Sequence, residues 1–538
     1  MSRAKTEPGA SPPRQPGSGG EVGRAFERTI AQFRGRGARR PAARGLRADR
    51  RRPLLASPRV ALRRIPTLAW LCAAVACLNA VCWSLISPPF QVPDEPEHVA
   101  YVQDLVGNGK LPLKGDGFSA EELVALEDLH LPTVAEEPEY QTISSQAQQE
   151  KLQRDLRRAE SSSVKGVGAG VAASEPPLYY ALQAIPYSLG AGGTLLDRIE
   201  LMRLLSAVMA GFTALFSFLF VREALPRAPW AWAVGGLGVA LVPLLGFMSG
   251  AVTPEPMLYA VTAALFYCLA RAFRRGLTRG LAVALGALTA IGLLTKLNFL
   301  GIAPGAILGL IVLSVRAART QGRSAYVSLA IAIAIALSPG ALFVVRNLTS
   351  GAQALGFIPG TFATIRAPLA EMSYIWQLYL PRLPGMHNDF AGIFTTRQIW
   401  FDWYVGLYGW LDTTFPSWVY ELALIPTGLI LALCLREVIA NAGALRGRAA
   451  ELAVYCVIAV GLLVLVGGDS YDRFPALDAE FGQARYLLPL LPALGAVLAL
   501  AARGAGRRWG PAVGAAIIMI FLAHDVFSQL QTVARFYG

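Results

Sequence analysis

Long apolar stretches recur along most of this chain, and they constrain its fold more than any other feature. Eleven of them have the length of about 17 to 25 residues that an α-helix needs to cross roughly 30 Å of hydrocarbon. They are residues 67–86, 200–222, 230–249, 255–273, 279–295, 298–315, 325–345, 417–435, 450–467, 485–502 and 509–528. With 54% hydrophobic and 16% charged residues, the 538-residue chain has too few charges to cover such a surface in water. The sequence predicts an all-α membrane protein with about 11 spanning helices, within a range of roughly 10 to 13.

Basic residues are concentrated before the first span. Residues 1–66 hold 17 Lys or Arg and 4 Asp or Glu, which accounts for the net charge of +13, and the rest is neutral with 32 of each sign. This segment is rich in Pro, Gly, Ala and Arg without hydrophobic periodicity, so it is interpreted as a disordered cytoplasmic tail that contacts anionic headgroups. It has almost no aromatic residues, and nucleic acid is therefore not an expected partner.

Residues 67–530 are predicted to form a transmembrane domain, and the positions of its arginines predict its orientation. The short loops near residues 222–227, 271–279, 316–323, 436–448 and 503–508 all carry arginines and all fall on one side, which the positive-inside rule assigns to the cytoplasm. The opposite side receives three longer loops, 87–199, 346–416 and 467–484. The expected location is the bacterial inner (plasma) membrane, with the active face extracytoplasmic and no soluble C-terminal domain.

The first long loop is acidic, with 17 acids against 8 basic residues. Residues 176–189 within it are apolar but short, which favours a re-entrant or interfacial helix, with a twelfth span as the alternative. All six cysteines fall inside predicted spans, and no disulfide framework or zinc site follows from them.

An acidic cluster, Pro93-Asp94-Glu95-Pro96-Glu97-His98, follows the first span directly. One interpretation is ordinary helix initiation, with Asp94 as N-cap and Glu97 completing a capping box. The alternative is chemical. His98 and Tyr101 would follow one and two turns later on a common face, and a carboxylate near the low-dielectric boundary would have a raised basicity that suits a general base.

Three cations stand at outer helix ends, where this protein otherwise keeps few. Arg485, Lys296 and Arg346 are candidate ligands for a phosphate, and arginine offers a bidentate fork for that purpose. Lys296 could instead snorkel or pair with Glu255, and Arg346 could anchor the headgroup region.

Other polar and aromatic residues on this side suit sugar binding. They are His98, Tyr101, Glu255, Trp410, Asp412 and Tyr486. Glu255 could equally complement a helix dipole, and the aromatic residues around Trp410 could form an interfacial belt.

Eight motifs in order carry a resemblance to a known family. They are FQVPDEPEH (90–98), EPPLYY (175–180), RLLSA (203–207), TPEPML (253–258), LTKLNF (294–299), RN (346–347), YVGLYGWLDTTFP (404–416) and GQARYLLPLLP (482–492). Together they resemble a bacterial multi-pass "predicted membrane protein" family of unknown function, grouped with the C-type (GT-C) polyprenyl-phosphate-dependent glycosyltransferases.

The resemblance implies a GT-C-like fold with large outer loops and a site at the outer helix ends. Asp94, with Glu95 beside it, matches the acidic residue that activates the acceptor hydroxyl, as general base or with a divalent cation (Mg or Mn) for which Asp94 is the candidate ligand. The donor would be a sugar on a polyprenyl phosphate in the membrane lipid. The acceptor would be an extracytoplasmic glycan, lipid or protein, and transfer would invert the anomeric carbon.

Two other function classes remain open from the sequence. A lipid or glycan transporter or flippase would also need many helices and a few membrane charges, but would place them near the midplane. A non-catalytic protein of envelope assembly is the third interpretation.

Overall fold

The computed structural model describes residues 65–112, 117–131, 145–159, 170–349, 368–387, 394–477 and 482–537. The predicted disordered tail lies almost entirely outside these ranges, as do parts of all three long loops. Within them nearly all regular structure is helical.

The elements follow one another as a succession of helices interrupted by one short hairpin. The helices are α1 (Thr67–Ile86), α2 (Glu95–Asn108), α3 (Ala120–Asp128), α4 (Gln146–Arg158), α5 (Leu178–Leu189), α6 (Leu195–Ala224), α7 (Pro229–Ala240), α8 (Pro243–Ser249), α9 (Glu255–Arg275), α10 (Arg279–Thr295), α11 (Phe299–Gln321), α12 (Arg323–Thr349), α13 (Pro368–Tyr379), α14 (Trp403–Gly406), α15 (Ser417–Ala440), α16 (Ala442–Arg446), α17 (Ala449–Leu477), α18 (Leu491–Gly504) and α19 (Gly506–Tyr537). Short 3₁₀ segments lie at Gly170–Ser174 and Ala484–Leu490, and a π-helical turn lies at Gln398–Asp402. Strands β1 (Leu407–Tyr408) and β2 (Thr413–Thr414) pair antiparallel.

The prediction of an all-α membrane protein is confirmed, but the count of eleven spans is not. In the described part, nine helices are long and apolar enough to cross a membrane, or ten if α7 and α8 form one span. These two helices meet at a 52° bend, where Pro243 at the start of α8 lacks the N–H that would continue the helical ladder. The predicted span 279–295 is α10, whose 17 residues rise about 26 Å.

Helix α5 decides between the two interpretations of residues 176–189. It has 12 residues, which as a helix rise about 18 Å, well short of a hydrocarbon core of roughly 30 Å. The short helix packs on α2 and α6 at the end of the bundle. A re-entrant or interfacial helix is therefore favoured over a twelfth span.

Helix α6 lies at the centre of the bundle, in contact with α1, α7, α9 and α18. It begins with a capping box, in which the Asp197 carboxylate accepts a hydrogen bond from the Thr194 backbone N–H at 2.6 Å.

Between α11 and α17, glycines let the two helices approach closely. A Cβ on Gly301 of α11 would lie 2.6 Å from the Gly461 carbonyl oxygen of α17, so this crossing depends on both residues lacking side chains.

The five arginine-bearing loops meet at one end of the bundle. Each is joined to another of the five by at least one hydrogen bond, so the loops grouped together from the sequence do share one end. The bonds run from Arg274 to Glu223 (2.9 Å), from Arg448 to the Ala224 carbonyl (2.9 Å), from Arg436 to the Gly504 carbonyl (2.6 Å) and from Gln321 to the Leu277 carbonyl (2.9 Å).

Candidate functional site

Asp94 lies where the chain leaves α1 and enters α2, at the end opposite the basic loops. Its backbone is left-handed (φ 66°, ψ 4°), a conformation that residues other than glycine adopt rarely. Its side chain makes no capping hydrogen bond to α2, so the capping-box interpretation is wrong. The carboxylate instead accepts a hydrogen bond of 2.7 Å from Arg485, and its side chain remains 33% exposed.

Arg485 is held in the 3₁₀ segment that precedes α18. The side chain is 7% exposed, and its guanidinium lies 5.4 Å from the centre of the Tyr486 ring. Its backbone carbonyl accepts a hydrogen bond from the Tyr259 hydroxyl at 3.2 Å, which ties this segment to α9. The Nε N–H is buried and has no partner within the described part of the chain. One arm of the fork thus holds Asp94 while another donor is unused.

A second ion-pair group lies at the junction of α10 and α11. Lys296 Nζ is 3.1 Å from Glu255 Oε1 and 3.2 Å from Glu175 Oε1. The backbone N–H of Leu297 also donates to Glu175 at 3.2 Å. Burial alone would lower the pKa of Lys296, but the two carboxylates raise it, so the ammonium stays charged. Electrostatic interactions connect Glu255 with Arg485 and His98 as well, which makes the two ion-pair groups parts of one site.

The pKa values of neighbouring acids move in opposite directions. Burial of Asp94 disfavours its charge, but the Arg485 guanidinium beside it, with His98, holds the pKa of this carboxyl below its usual range. The expectation of raised basicity is therefore wrong for Asp94. It fits Glu97 instead, because burial and the nearby Asp94 charge raise the pKa of Glu97 to about 7.

Aromatic side chains form one wall of the candidate site. The Tyr101 and Tyr180 rings stack with centroids 3.6 Å apart, and the Tyr180 hydroxyl lies 2.9 Å from His98 Nδ1. Burial and the Lys296 charge lower the pKa of His98 to about 4, so its imidazole is neutral near pH 7. The wall can orient a ligand, and the charged side chains of the site are Asp94, Arg485, Lys296 and Glu255.

Most of the ordered sequence motifs supply a side chain to this end of the bundle. Asp94, Glu175, Arg203, Glu255, Lys296, Trp410 and Arg485 come from seven of the eight. A model of the family described as "Predicted membrane protein (DUF2142)" matches residues 77–494. The chain belongs to the DUF2142 family. The family membership expected from the motifs is thereby confirmed, and a search of curated proteins gives no match.

Solved membrane proteins share partial structural similarity with this DUF2142 chain. The oligosaccharyltransferase of Archaeoglobus fulgidus in its apo form matches with a TM-score of 0.42 and 13% identity, over 87% of this chain and 56% of that one. The DUF2142 chain thus spans little more than half the length of that protein. ArnT from Cupriavidus metallidurans bound to undecaprenyl phosphate matches with a TM-score of 0.41 and 13% identity, over 86% of this chain and 75% of that one.

Glu95, predicted beside Asp94 as a catalytic residue, lies apart from it in the DUF2142 structure. Its carboxylate is fully buried and forms a two-armed ion pair with Arg203, at 2.8 Å and 2.6 Å. It also accepts the backbone N–H groups of Phe90 and Val252, each at 2.9 Å. These four bonds use the carboxylate fully and fix the residues that precede Asp94, which points to a positioning role.

Trp410 and Asp412 belong to the β1–β2 hairpin, and their described contacts are with residues outside the two ion-pair groups. Trp410 donates its indole N–H to the Phe90 carbonyl at 2.8 Å. Asp412 forms a buried ion pair of 3.0 Å with Arg535 near the end of α19. The first contact holds the hairpin against the segment that leads to Asp94, and the second ties it to α19.

Arg346 lies near Tyr101 and acts on it electrostatically, and its described hydrogen bond goes to the Asn347 side-chain oxygen at 3.1 Å. Tyr486 serves as the ring beneath Arg485.

The residues around Asp94 do not fit a divalent cation, because Arg485 already engages this carboxylate. Within the described ranges, no three His, Cys, Asp or Glu side chains are placed to hold a metal ion together.

Sequence reasoning gave no role to Glu175 or Arg203, and it gave Glu97 only a place in a capping box. Glu175 precedes the short helix α5, and Arg203 is a charge inside an apolar stretch. Both positions carry a signal, because a charge in or beside a membrane helix requires a partner. Glu97 carried none, because its raised pKa depends on burial that only the fold creates.

Proposed function

We propose that this protein is a membrane glycosyltransferase of the C type, which moves a sugar from a polyprenyl phosphate to an extracytoplasmic acceptor with inversion. The observation that carries the proposal is the Asp94–Arg485 pair at the outer helix ends, next to the Lys296–Glu255 pair. A carboxylate and a cation in one partly exposed site suit a reaction in which a hydroxyl attacks and a phosphate leaves.

Arg485 is the proposed ligand of the donor phosphate. Its unused Nε donor is buried, and a guanidinium binds phosphate oxygens through parallel hydrogen bonds. Lys296 adds positive charge, although Glu175 and Glu255 neutralise much of it. A small apolar pocket of about 20 Å³ adjoins Arg485, and the first isoprene unit would lie at its mouth. Its lining includes Pro93, Leu244, Phe247, Met248, Trp403 and Leu411.

Asp94 is the proposed acceptor of the proton from the attacking hydroxyl. Its lowered pKa keeps the carboxylate ionised at neutral pH, so it can hold the hydroxyl by a charge-assisted hydrogen bond. As the new C–O bond forms, the proton passes to Asp94 and the sugar–phosphate bond breaks, leaving the polyprenyl phosphate beside Arg485. His98, Tyr101, Glu255 and Tyr486 are proposed to contact the sugar or the acceptor.

Transport is the second candidate, and the depth of Asp94 bears on it. A transporter would place its charges near the bilayer midplane on broken helices. Asp94 follows the end of α1 and is one-third exposed, which supports the transferase. The proposal places the protein in the bacterial inner (plasma) membrane, with the basic loops and the N-terminus in the cytoplasm. If the following test fails, a non-catalytic role in envelope assembly is the alternative.

The decisive experiment replaces Asp94 by Asn, which keeps the size of the side chain but removes its charge. Loss of a general base lowers rates by about 10²- to 10⁴-fold, so we expect the glycan product to fall at least about 100-fold. The measurement is mass analysis of envelope glycans from cells that lack the gene and carry either variant. Asp155→Asn, in the solvent-facing helix α4, is the matched control. Unchanged glycans with a folded, inserted Asp94→Asn protein would remove the catalytic proposal.

A further inference from the structure

A second cavity, of about 490 Å³, lies at the same end of the bundle as Asp94. Its walls are the last turns of α1, the first turns of α6, the residues just after α1, the polar helix α4, and Tyr537 at the end of α19. It shares no lining residue with the apolar pocket beside Arg485. The lining comprises Val81, Ser84, Leu85, Ser87, Pro88, Pro89, Ser145, Gln146, Gln149, Leu152, Gln153, Leu196, Ile199, Glu200, Arg203, Leu204 and Tyr537.

One side of this cavity is apolar and belongs to spanning helices. Leu85 near the end of α1 is 74% exposed, and Leu204 of α6 is 45% exposed. Both helices are long and apolar enough to cross a membrane, so these exposed side chains face hydrocarbon or its boundary. The cavity is therefore accessible to a lipid from the bilayer.

The opposite side is polar but has almost no charge. Gln149 and Gln153 of α4 face it, and neither makes a side-chain hydrogen bond within the described part of the chain. The Ser87 hydroxyl is buried, with the residue 2% exposed, and also has no partner there. These amides and hydroxyls offer both donors and acceptors, which is the pattern that binds sugar hydroxyls.

Among the described residues, Arg203 is the only cation that lines the cavity, and its donors are all in use. Its five N–H groups go to the two Glu95 oxygens and to the carbonyls of Ser84, Ser87 and Pro88, at 2.6 to 3.2 Å. The one carboxylate at the rim, Glu200, repels anions. A phosphate headgroup would find no free cationic donor here, in contrast to the site at Arg485.

We propose that this cavity binds a membrane lipid with an uncharged, hydroxyl-rich headgroup, that is, a glycosyl lipid. The acyl chains lie against Leu85 and Leu204, and the sugar hydroxyls bond to Ser87, Gln149 and Gln153. This binding does not require the glycosyltransferase activity proposed above.

The test uses the full-length protein in nanodiscs of phosphatidylcholine that contain equal small amounts of glucosyl diacylglycerol and phosphatidylglycerol. Native mass spectrometry counts the bound lipid of each kind. We expect glucosyl diacylglycerol to be retained about tenfold more than phosphatidylglycerol, and Gln149→Met/Gln153→Met to lose that preference, because the two side-chain amides that bond the sugar hydroxyls are removed. Gln148→Met, on the same helix but outside the cavity lining, is the matched control.

Equal retention of the two lipids by the wild-type protein, or unchanged preference in the double variant, would overturn the proposal. A photoreactive glucosyl lipid provides a measurement that needs no variant, since it is expected to label residues 81–89, 145–153, 196–204 or Tyr537, and labelling outside these residues contradicts the site. Asp94→Asn is expected to keep the lipid preference. Failure of the transferase proposal and failure of the lipid site would therefore give different results.

Discussion

The ion pair between Glu95 and Arg203 is buried at 0% and 2% exposure, and its two residues are 108 positions apart in the chain. Removing one partner leaves an uncompensated charge, so Glu95→Gln is expected to lower the free energy of unfolding by about 3 to 5 kcal/mol. The measurement is thermal unfolding of detergent-purified protein. Asp94→Asn, one position earlier, should lower stability less, because the Asp94 side chain is 33% exposed. Equal stability of the two variants would contradict the positioning role of Glu95.

Glu97 gives the protein a pH-dependent stability whose sign follows from its pKa. The folded value of about 7 lies above the usual 4.5, so the folded state binds more protons than the unfolded state between these values. Stability contributed by this group is therefore complete below about pH 4.5 and declines as the pH rises through 7. Glu97→Gln cannot ionise, so its melting temperature should exceed that of wild type increasingly between pH 5 and pH 8. A difference that is constant with pH would contradict the assignment.

At the scale of elements, the crossing of α11 and α17 depends on two glycines in contact. A Cβ on Gly301 would lie 2.6 Å from a backbone oxygen, so Gly301→Ala forces the helices apart and should destabilise by about 1 to 3 kcal/mol. Gly428 in α15 is the control, because a Cβ there meets nothing within 4 Å. Gly428→Ala should be neutral or stabilising, since alanine is the better helix former. The two melting temperatures measured side by side decide the matter.

The helices were largely predictable because apolar length is a local property of the sequence. Each of the eleven stretches is helical, and the short helix at residues 176–189 was expected as one of two alternatives. The bend between α7 and α8 was not predicted, although Pro243 marks it, because proline can also lie in a continuous kinked span. Boundaries such as the start of α6 at Leu195 were missed, since Asp197, Arg198 and Glu200 in its first two turns interrupt the apolar stretch.

For the whole molecule, the arginine-bearing loops occupy one end and Asp94 the other, and the proposal assigns these ends to the cytoplasm and the exterior. In a variant whose six cysteines are replaced, Gln148→Cys should react with a membrane-impermeant maleimide in intact spheroplasts. Arg227→Cys, exposed in a basic loop, should react only after permeabilisation. The reverse pattern would invert the proposed topology and move the site to the cytoplasmic side.

Several charged residues of the candidate site could be named from the sequence, but most of the ion pairs between them could not. Charges at outer helix ends were expected to gather, and the Lys296–Glu255 pair was one of the alternatives considered. The partner of Asp94 was not, because Arg485 lies 391 positions away and nothing local connects them. Asp94 and Glu95 are adjacent in the chain but have different partners, because Glu95 faces Arg203 and Asp94 faces Arg485.

The left-handed backbone at Asp94 limits which residues can occupy that position at all. Glycine, asparagine and aspartate tolerate a φ of 66°, whereas alanine and β-branched residues are strained there. A library of all substitutions at position 94 therefore reports two selections at once, one for a backbone that folds and one for a negative charge. Only asparagine and glycine separate them, because they satisfy the first and fail the second, and an inactive alanine variant would leave the two causes confounded.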